Sequence, residues 1–264
     1  MKIDTILTPA ELPALAQRDL HETLCVVFDV LRATSAFVTA LHNGAKAIIP
    51  ASEISEALAI RGKQPDVLLG GERDGVKIRA SQTGGTDFDL GNSPREYTPE
   101  KVRGKTIVST TTNGTRALRA CAGAKAVLAS SFLNLGATAE FIKKLQPAEV
   151  LLVCAGTREN RADEDVLAAG ALCEMLEVGL SRRDERTARR AVPTKISDST
   201  EIARHDYAQA KSDLAAAVRN ATNGRRLLAI PELRDDVAFC LQRDVFPLIA
   251  RMEADGAIRR QSER

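Results

Sequence analysis

Short runs rich in valine, isoleucine and leucine recur along the chain at residues 24–30, 45–49, 67–69, 106–108, 126–128 and 150–154. Longer stretches of helical character separate most of them: residues 53–60 are rich in alanine and leucine, 115–122 follow a polar turn, and 135–145 and 164–176 read likewise. Parallel strands need a crossover between them, and strands covered on both faces read as short apolar runs. The alternation therefore predicts an α/β fold: a mostly parallel sheet with helices on both faces. Residues 3–7 are a candidate for one further strand, at an edge.

After Leu180 the rhythm breaks. Residues 181–200 are polar and strongly charged, contain Pro193 and follow neither period, which predicts a surface loop or linker. Beyond it, residues 202–218, 222–228 and 235–248 predict a helical C-terminal region that caps the sheet. Residues 1–264 are expected to form a single α/β domain, with a two-lobed form left open by the polar loop.

Composition sharpens this only in places. A chain of 264 residues, 44% of them hydrophobic, can bury a proper core. The net charge is +2 and the basic residues are dispersed, apart from the segment 182–190, so neither nucleic acid nor a membrane surface is expected as a partner. A homo-oligomer is compatible with the pattern. Met1 to Asp4 run straight into apolar alternation with no long hydrophobic segment, from which a cytoplasmic location is expected. Cys25, Cys121, Cys154, Cys173 and Cys240 form no CxxC pair, and the first and third of them sit inside apolar runs, as buried free thiols do. His21, His42 and His205 lack zinc-ligand spacing.

In open parallel sheets, ligands bind outside the carboxyl ends of the strands, where loops and helix N-termini present backbone N–H groups. Four predicted strands are followed there by residues with chemistry. Asp29 to Ser35 follow the first, and Gly70-Gly71-Glu72-Arg73-Asp74-Gly75 the Val67 run. Ser109 to Arg116 follow the Thr106 run, and Ala155-Gly156-Thr157-Arg158 the Val150 run, with Asp163-Glu164-Asp165 opening the next helix. Carboxylates grouped with arginines suit an oxygen-liganded cation and an anionic substrate. Each piece also has a plain structural use. Asp29 can cap the following helix, Asn113 can do the same after its turn, and the three acids at 163–165 suit any helix N-terminus.

The segments Val26-Val27-Phe28-Asp29-Val30-Leu31-Arg32-Ala33-Thr34, Gly71-Glu72-Arg73, Phe88-Asp89-Leu90-Gly91-Asn92-Ser93-Pro94, Thr111-Thr112-Asn113-Gly114-Thr115-Arg116 and Cys154-Ala155-Gly156 follow one another in order. Glu164-Asp165 with Ala169-Gly170-Ala171, and Asp236-Val237 with Cys240 and Asp244, continue the series. Taken together the chain resembles the 2-phosphosulfolactate phosphatases over nearly its whole length. The resemblance implies hydrolysis of the phosphate monoester of 2-phospho-3-sulfolactate to 3-sulfolactate with Mg²⁺, in the route to coenzyme M. Two readings stand beside it: a phosphatase of another small phosphorylated hydroxy acid, and a non-catalytic anion-binding protein on the same fold. Asp29 is also placed like the nucleophile of haloacid-dehalogenase phosphatases, but those carry a second aspartate two positions on, where this chain has Leu31.

On this reading the catalytic candidates are Asp29, Glu72 and Asp165, and the metal-ligand candidates are Asp29, Glu72 and Glu164. Asp29 is the central carboxylate, as Mg²⁺ ligand or as nucleophile. Arg32, Arg73 and Arg116 are expected to grip substrate oxygens, with Asn92, Thr112 and Asn113 as neutral partners.

Overall fold

Each of the six apolar runs becomes a strand in the computed structural model, which describes residues 1–15, 17–181 and 194–261. The strands are β1 (Lys2–Ile6), β2 (Thr23–Phe28), β3 (Ala47–Pro50), β4 (Leu68–Arg73), β5 (Val76–Lys77), β6 (Thr106–Thr110), β7 (Ala126–Ser130), β8 (Glu149–Cys154), β9 (Lys195–Ile196), β10 (Ala250–Met252) and β11 (Ile258–Arg260). They form one sheet in the order β5-β4-β6-β3-β11-β10-β7-β2-β8-β1-β9.

That order contains two parallel blocks. One is β4-β6-β3, and the other is β7-β2-β8-β1 with the short β9 beyond it. The hairpin β10–β11 bridges them and runs antiparallel to both neighbours, meeting β3 at the single pair Ile258 and Ile48. The fold is thus α/β with a mostly parallel sheet, in two parallel blocks that run antiparallel to one another across the hairpin.

Pleating assigns successive residues to opposite faces. Cys25, Val27, Val127, Ala129, Leu151 and Val153 pack with the helix Ala33–His42. Their neighbours Leu24, Val26, Phe28, Val150, Leu152 and Cys154 pack on the other side, with the helices Leu135–Leu145 and Asp163–Ser181. The outer strands β4 and β6 have a smaller cluster around Leu69, Val108 and Ala57 of the helix Ile54–Lys63. All five cysteines are buried free thiols. Among the described residues no helix is long and apolar enough to cross a membrane.

Three expectations change. Most of the polar loop expected at 181–200 lies outside the described residues, but its end is ordered: Lys195–Ile196 pairs with β1, and Ser197 caps a helix that begins at Asp198. β1 is therefore second from the end of the sheet, with β9 outside it. The helix expected over 235–248 is only Arg234–Cys240. Residues beyond it lead into β10, and the Asp255-Gly256 turn with Gly256 at φ +79° closes the β10–β11 hairpin. The helical C-terminal region is otherwise as expected, with Asp198–Ala210, Leu214–Asn220 and Thr222–Leu228.

Candidate active site

The carboxyl ends of β2, β4, β6 and β8 converge on one cleft, lined among others by Asp29, Glu72, Asn113 and Gly156. Asp29 follows β2 directly. Its backbone N–H donates to Thr34 Oγ1 (3.1 Å), whose hydroxyl donates back to the Asp29 carbonyl (2.9 Å). The carboxylate Oδ1 accepts from the Ala33 N–H (3.2 Å), so the helix-capping use of Asp29 is real. The other oxygen faces the start of the helix Gly114–Ala120, where a Cβ on Gly114 would stand 2.6 Å from Asp29 Oδ2. Only glycine permits that approach.

Glu72, at the end of β4, is buried and held by three donors. The Thr112 N–H (3.0 Å) and hydroxyl (2.9 Å) donate to Oε1, and the Gly75 N–H donates to Oε2 (2.6 Å). This ties the β4–β5 turn to the loop after β6. Asn113 ties that same loop to the one after β8: its Nδ2 donates to the carbonyls of Ala155 (3.0 Å) and Arg158 (2.9 Å), and its Oδ1 accepts from the Arg158 N–H (3.1 Å). Gly156, at φ +64°, packs so closely on Pro9 and Asn160 that no side chain would fit.

Asp165 and Glu164, at the start of the helix Asp163–Ser181, behave differently although they are adjacent and both 1% exposed. Asp165 accepts from the Val30 N–H (2.8 Å) and the Gly156 N–H (3.0 Å), one with each oxygen, and so clasps the loops after β2 and β8. Glu164 Oε1 accepts from Asn223 Nδ2 (2.6 Å), while Oε2 is buried without a hydrogen-bond partner. Burial raises Asp29 to about 6, opposed by donation from Ala33 and reinforced by the charge of Glu72. Burial raises Glu164 to about 7, opposed by Asn223 and reinforced by Asp29. Asp165 is pushed well above its ordinary value by burial first and then by Glu164 and Asp29. Burial and acidic neighbours thus push each of these carboxyls toward its neutral form.

Arg32 is the one buried arginine of the cleft. Its Nη2 donates to the Gly75 carbonyl (2.7 Å), and its Nη1 meets Asp236 Oδ2 at 3.3 Å. Asp236 is fully buried, accepts from the Ser93 hydroxyl (2.6 Å), and is raised by burial against the pull of Ser93 and Arg32. Asn92 also lines the cleft, and its Oδ1 is buried without a partner.

Two expected anion-grippers are not part of the cleft lining. Arg73 turns to the end of β6, donating to its neighbour's carbonyl (2.8 Å) and to Thr110 Oγ1 (2.9 Å). Arg116 is exposed and pairs with Glu159 (2.7 Å). The cleft's other cations are Arg158 and Arg226, which the sequence reading did not select. Arg158 was within reach of it, two residues beyond Gly156 on the β8 loop. Asn223 and Arg226 had no such signal, because only tertiary folding brings the helix Thr222–Leu228 over the strand ends.

Among the described residues no three aspartate, glutamate, histidine or cysteine side chains form a ready-made metal cage. Mg²⁺ seldom uses one: it keeps several waters and takes one or two carboxylates together with substrate phosphate. The donor set is all oxygen, and two buried oxygens, Glu164 Oε2 and Asn92 Oδ1, lack donors. These residues fit such an ion.

A mostly parallel α/β sheet whose strand ends bring buried carboxylates and a buried arginine into one cleft defines the class: an α/β protein with a polar, charged cleft at the ends of its strands. The family model for 2-phosphosulpholactate phosphatase matches residues 7–255, and the chain belongs to that family. Relatives bearing the name "Probable 2-phosphosulfolactate phosphatase" include one from Caldanaerobacter subterraneus subsp. tengcongensis, 37% identical across 93% of this chain and 94% of its own. The Thermotoga petrophila relative is 39% identical over 85% of this chain and 86% of its own. That of Clostridium acetobutylicum is 33% identical over 94% and 96%.

Proposed function

We propose that the protein is a Mg²⁺-dependent phosphatase that hydrolyses the phosphate monoester of 2-phospho-3-sulfolactate to 3-sulfolactate and inorganic phosphate, in the cytoplasm. Its product would then serve the route to coenzyme M. The observation that carries this reading is the buried pair Asp29 and Glu72 on the cleft, with buried Glu164 behind its lining residue Asn223, in a chain that matches the family over residues 7–255. A bound Mg²⁺ would take one or two carboxylates of the set Asp29, Glu72 and Glu164 together with waters and substrate oxygens, and would neutralise phosphoryl charge and stabilise the leaving oxygen.

The chain's own groups do the rest. Arg32, with Asp236 and the Gly75 carbonyl fixing its fork, offers a rigid cation to phosphoryl oxygens. Asn92, Thr112 and Asn113 line the same wall, and Asn113 acts chiefly by fixing the loop after β8. Glu164 Oε2 is the free acceptor that can orient water. Hydrolysis joins a water oxygen to phosphorus, breaks the ester P–O bond, and delivers a proton to the departing alkoxide. Asp165, with both oxygens engaged, supports this by holding the two loops on which Asp29 and Gly156 sit.

Phosphate release from a panel of 2-phospho-acids, 2-phospho-3-sulfolactate among them, with Mg²⁺ and with excess chelator, tests the reading. The expected result is metal-dependent release that is fastest with the sulfonated substrate. Release from none of them would favour a non-catalytic anion-binding protein, and a faster unsulfonated acid would favour a different phosphatase.

A further inference from the structure

Of the three arginines on the cleft, only Arg32 is buried. Arg158 and Arg226 stand at its mouth, with side chains 75% and 42% exposed. They come from elements distant in sequence, the loop after β8 and the helix Thr222–Leu228. Between them stands Asp74, in the tight turn that joins β4 to β5. Its Oδ1 lies 3.5 Å from Arg158 Nη2 and 4.0 Å from Arg226 Nη2, and Arg226 Nη2 also donates to the Asp74 carbonyl (2.5 Å).

One carboxylate oxygen facing two guanidinium groups marks a place where an anion can be held by both. Asp74 occupies it loosely: its side chain is 77% exposed and both ion pairs are long, a kind worth little in water. An incoming anion that is already anchored at its other end, and so is present at high effective concentration, can displace it.

Resting on the phosphatase reading, we propose that Arg158 and Arg226 form a second anion subsite that takes the sulfonate of the substrate, with Asp74 as the built-in placeholder. The substrate's own connectivity selects the sulfonate. The carboxylate is bonded to the carbon that bears the phosphate ester and stays near the phosphoryl end, beside Arg32. The sulfonate is one bond further out, and its three oxygens suit two donors that approach from separate elements. Arg158 and Arg226 are then what distinguishes a sulfonated acid from its unsulfonated analogue.

Calorimetric binding of 3-sulfolactate and of lactate, with Mg²⁺ present, to the wild type and to Arg158→Ala, Arg226→Ala, Asp74→Ala and the remote control Arg259→Ala tests this. The wild type should prefer 3-sulfolactate. Each cleft arginine variant should shrink that preference by about tenfold, roughly 1.4 kcal/mol, by weakening 3-sulfolactate and leaving lactate unchanged. Asp74→Ala should tighten 3-sulfolactate about two- to threefold, and Arg259→Ala should change nothing. The proposal is overturned if the wild type shows no preference, if the arginine variants keep it, if they weaken both ligands equally, or if Asp74→Ala fails to tighten binding. Circular dichroism verifies that each variant is folded. Phosphate release from 2-phospho-3-sulfolactate is scored separately, so its absence would remove the phosphatase reading while a sulfonate preference lost in the arginine variants would stand.

Discussion

Replacing Glu164 by glutamine should make the metal-free protein more stable at pH 8 while removing its activity. Glu164 is 1% exposed, has one oxygen without a donor, and titrates near 7 in the folded chain against an ordinary 4.5. Below about pH 4.5 it is protonated folded or unfolded and contributes nothing. Between about 4.5 and 7 the unfolded chain releases the proton while the folded one retains it, so stability falls as pH rises. Above 7 the fall is complete. At about 1.4 kcal/mol per pH unit it reaches about 3 kcal/mol at pH 8 and stays under about 1 kcal/mol at pH 5. Glutamine keeps an oxygen for Asn223 and removes the charge. At roughly 2–4 °C per kcal/mol for a chain of this size, Glu164→Gln should raise the melting temperature by up to about 10 °C at pH 8 and by little at pH 5. Thermal unfolding followed by circular dichroism in chelator, at both pH values, measures this. Adding Mg²⁺ at pH 8 should narrow the gap by stabilising the wild type. A variant less stable than the wild type at pH 8 without metal would refute the reasoning, because the carboxylate would then be compensated in the fold.

Gly114→Ala should cost about 1–3 kcal/mol and reduce turnover, since the new Cβ would meet Asp29 Oδ2 at 2.6 Å and the Ala33 Cβ at 2.8 Å. Gly123→Ala, with nothing within 4 Å, is the near-neutral comparison, and melting temperature with kcat reads both. Asn113→Ala removes three hydrogen bonds to the β8 loop and should cost about 1–3 kcal/mol, with a raised KM in steady-state assays. Arg32→Lys cannot reproduce the fork that meets both Asp236 and the Gly75 carbonyl, and should destabilise by about 1–3 kcal/mol in denaturant titration while raising KM.

The parallel core was legible because strands such as β2 and β8 are buried on both faces and carry unbroken apolar runs. The C-terminal hairpin was not, because β10 and β11 have three residues each and follow a helix-like stretch; the Asp255-Gly256 turn was its one local mark. In the site, strand-end position led to Asp29, Glu72, Asn113 and Glu164, all of which prove to be buried. Residue type alone did not separate Asp165, whose oxygens are both spent on backbone, from Glu164, which keeps one free. Nor did it show that Arg73 and Arg116 have protein partners while Arg158 and Arg226 reach the cleft. Which way a long side chain turns depends on neighbours supplied by distant segments, and a single sequence does not display them.

The central claim is that the buried carboxylates of this cleft carry a metal-assisted phosphate-ester hydrolysis through Asp29. The initial rate of phosphate release from 2-phospho-3-sulfolactate, measured for the wild type and for Asp29→Asn at saturating Mg²⁺, tests it most directly. Asn keeps an oxygen to accept the Ala33 N–H, so the helix cap survives. The account predicts a folded variant with nearly all turnover lost, and near-normal turnover in Asp29→Asn would contradict it.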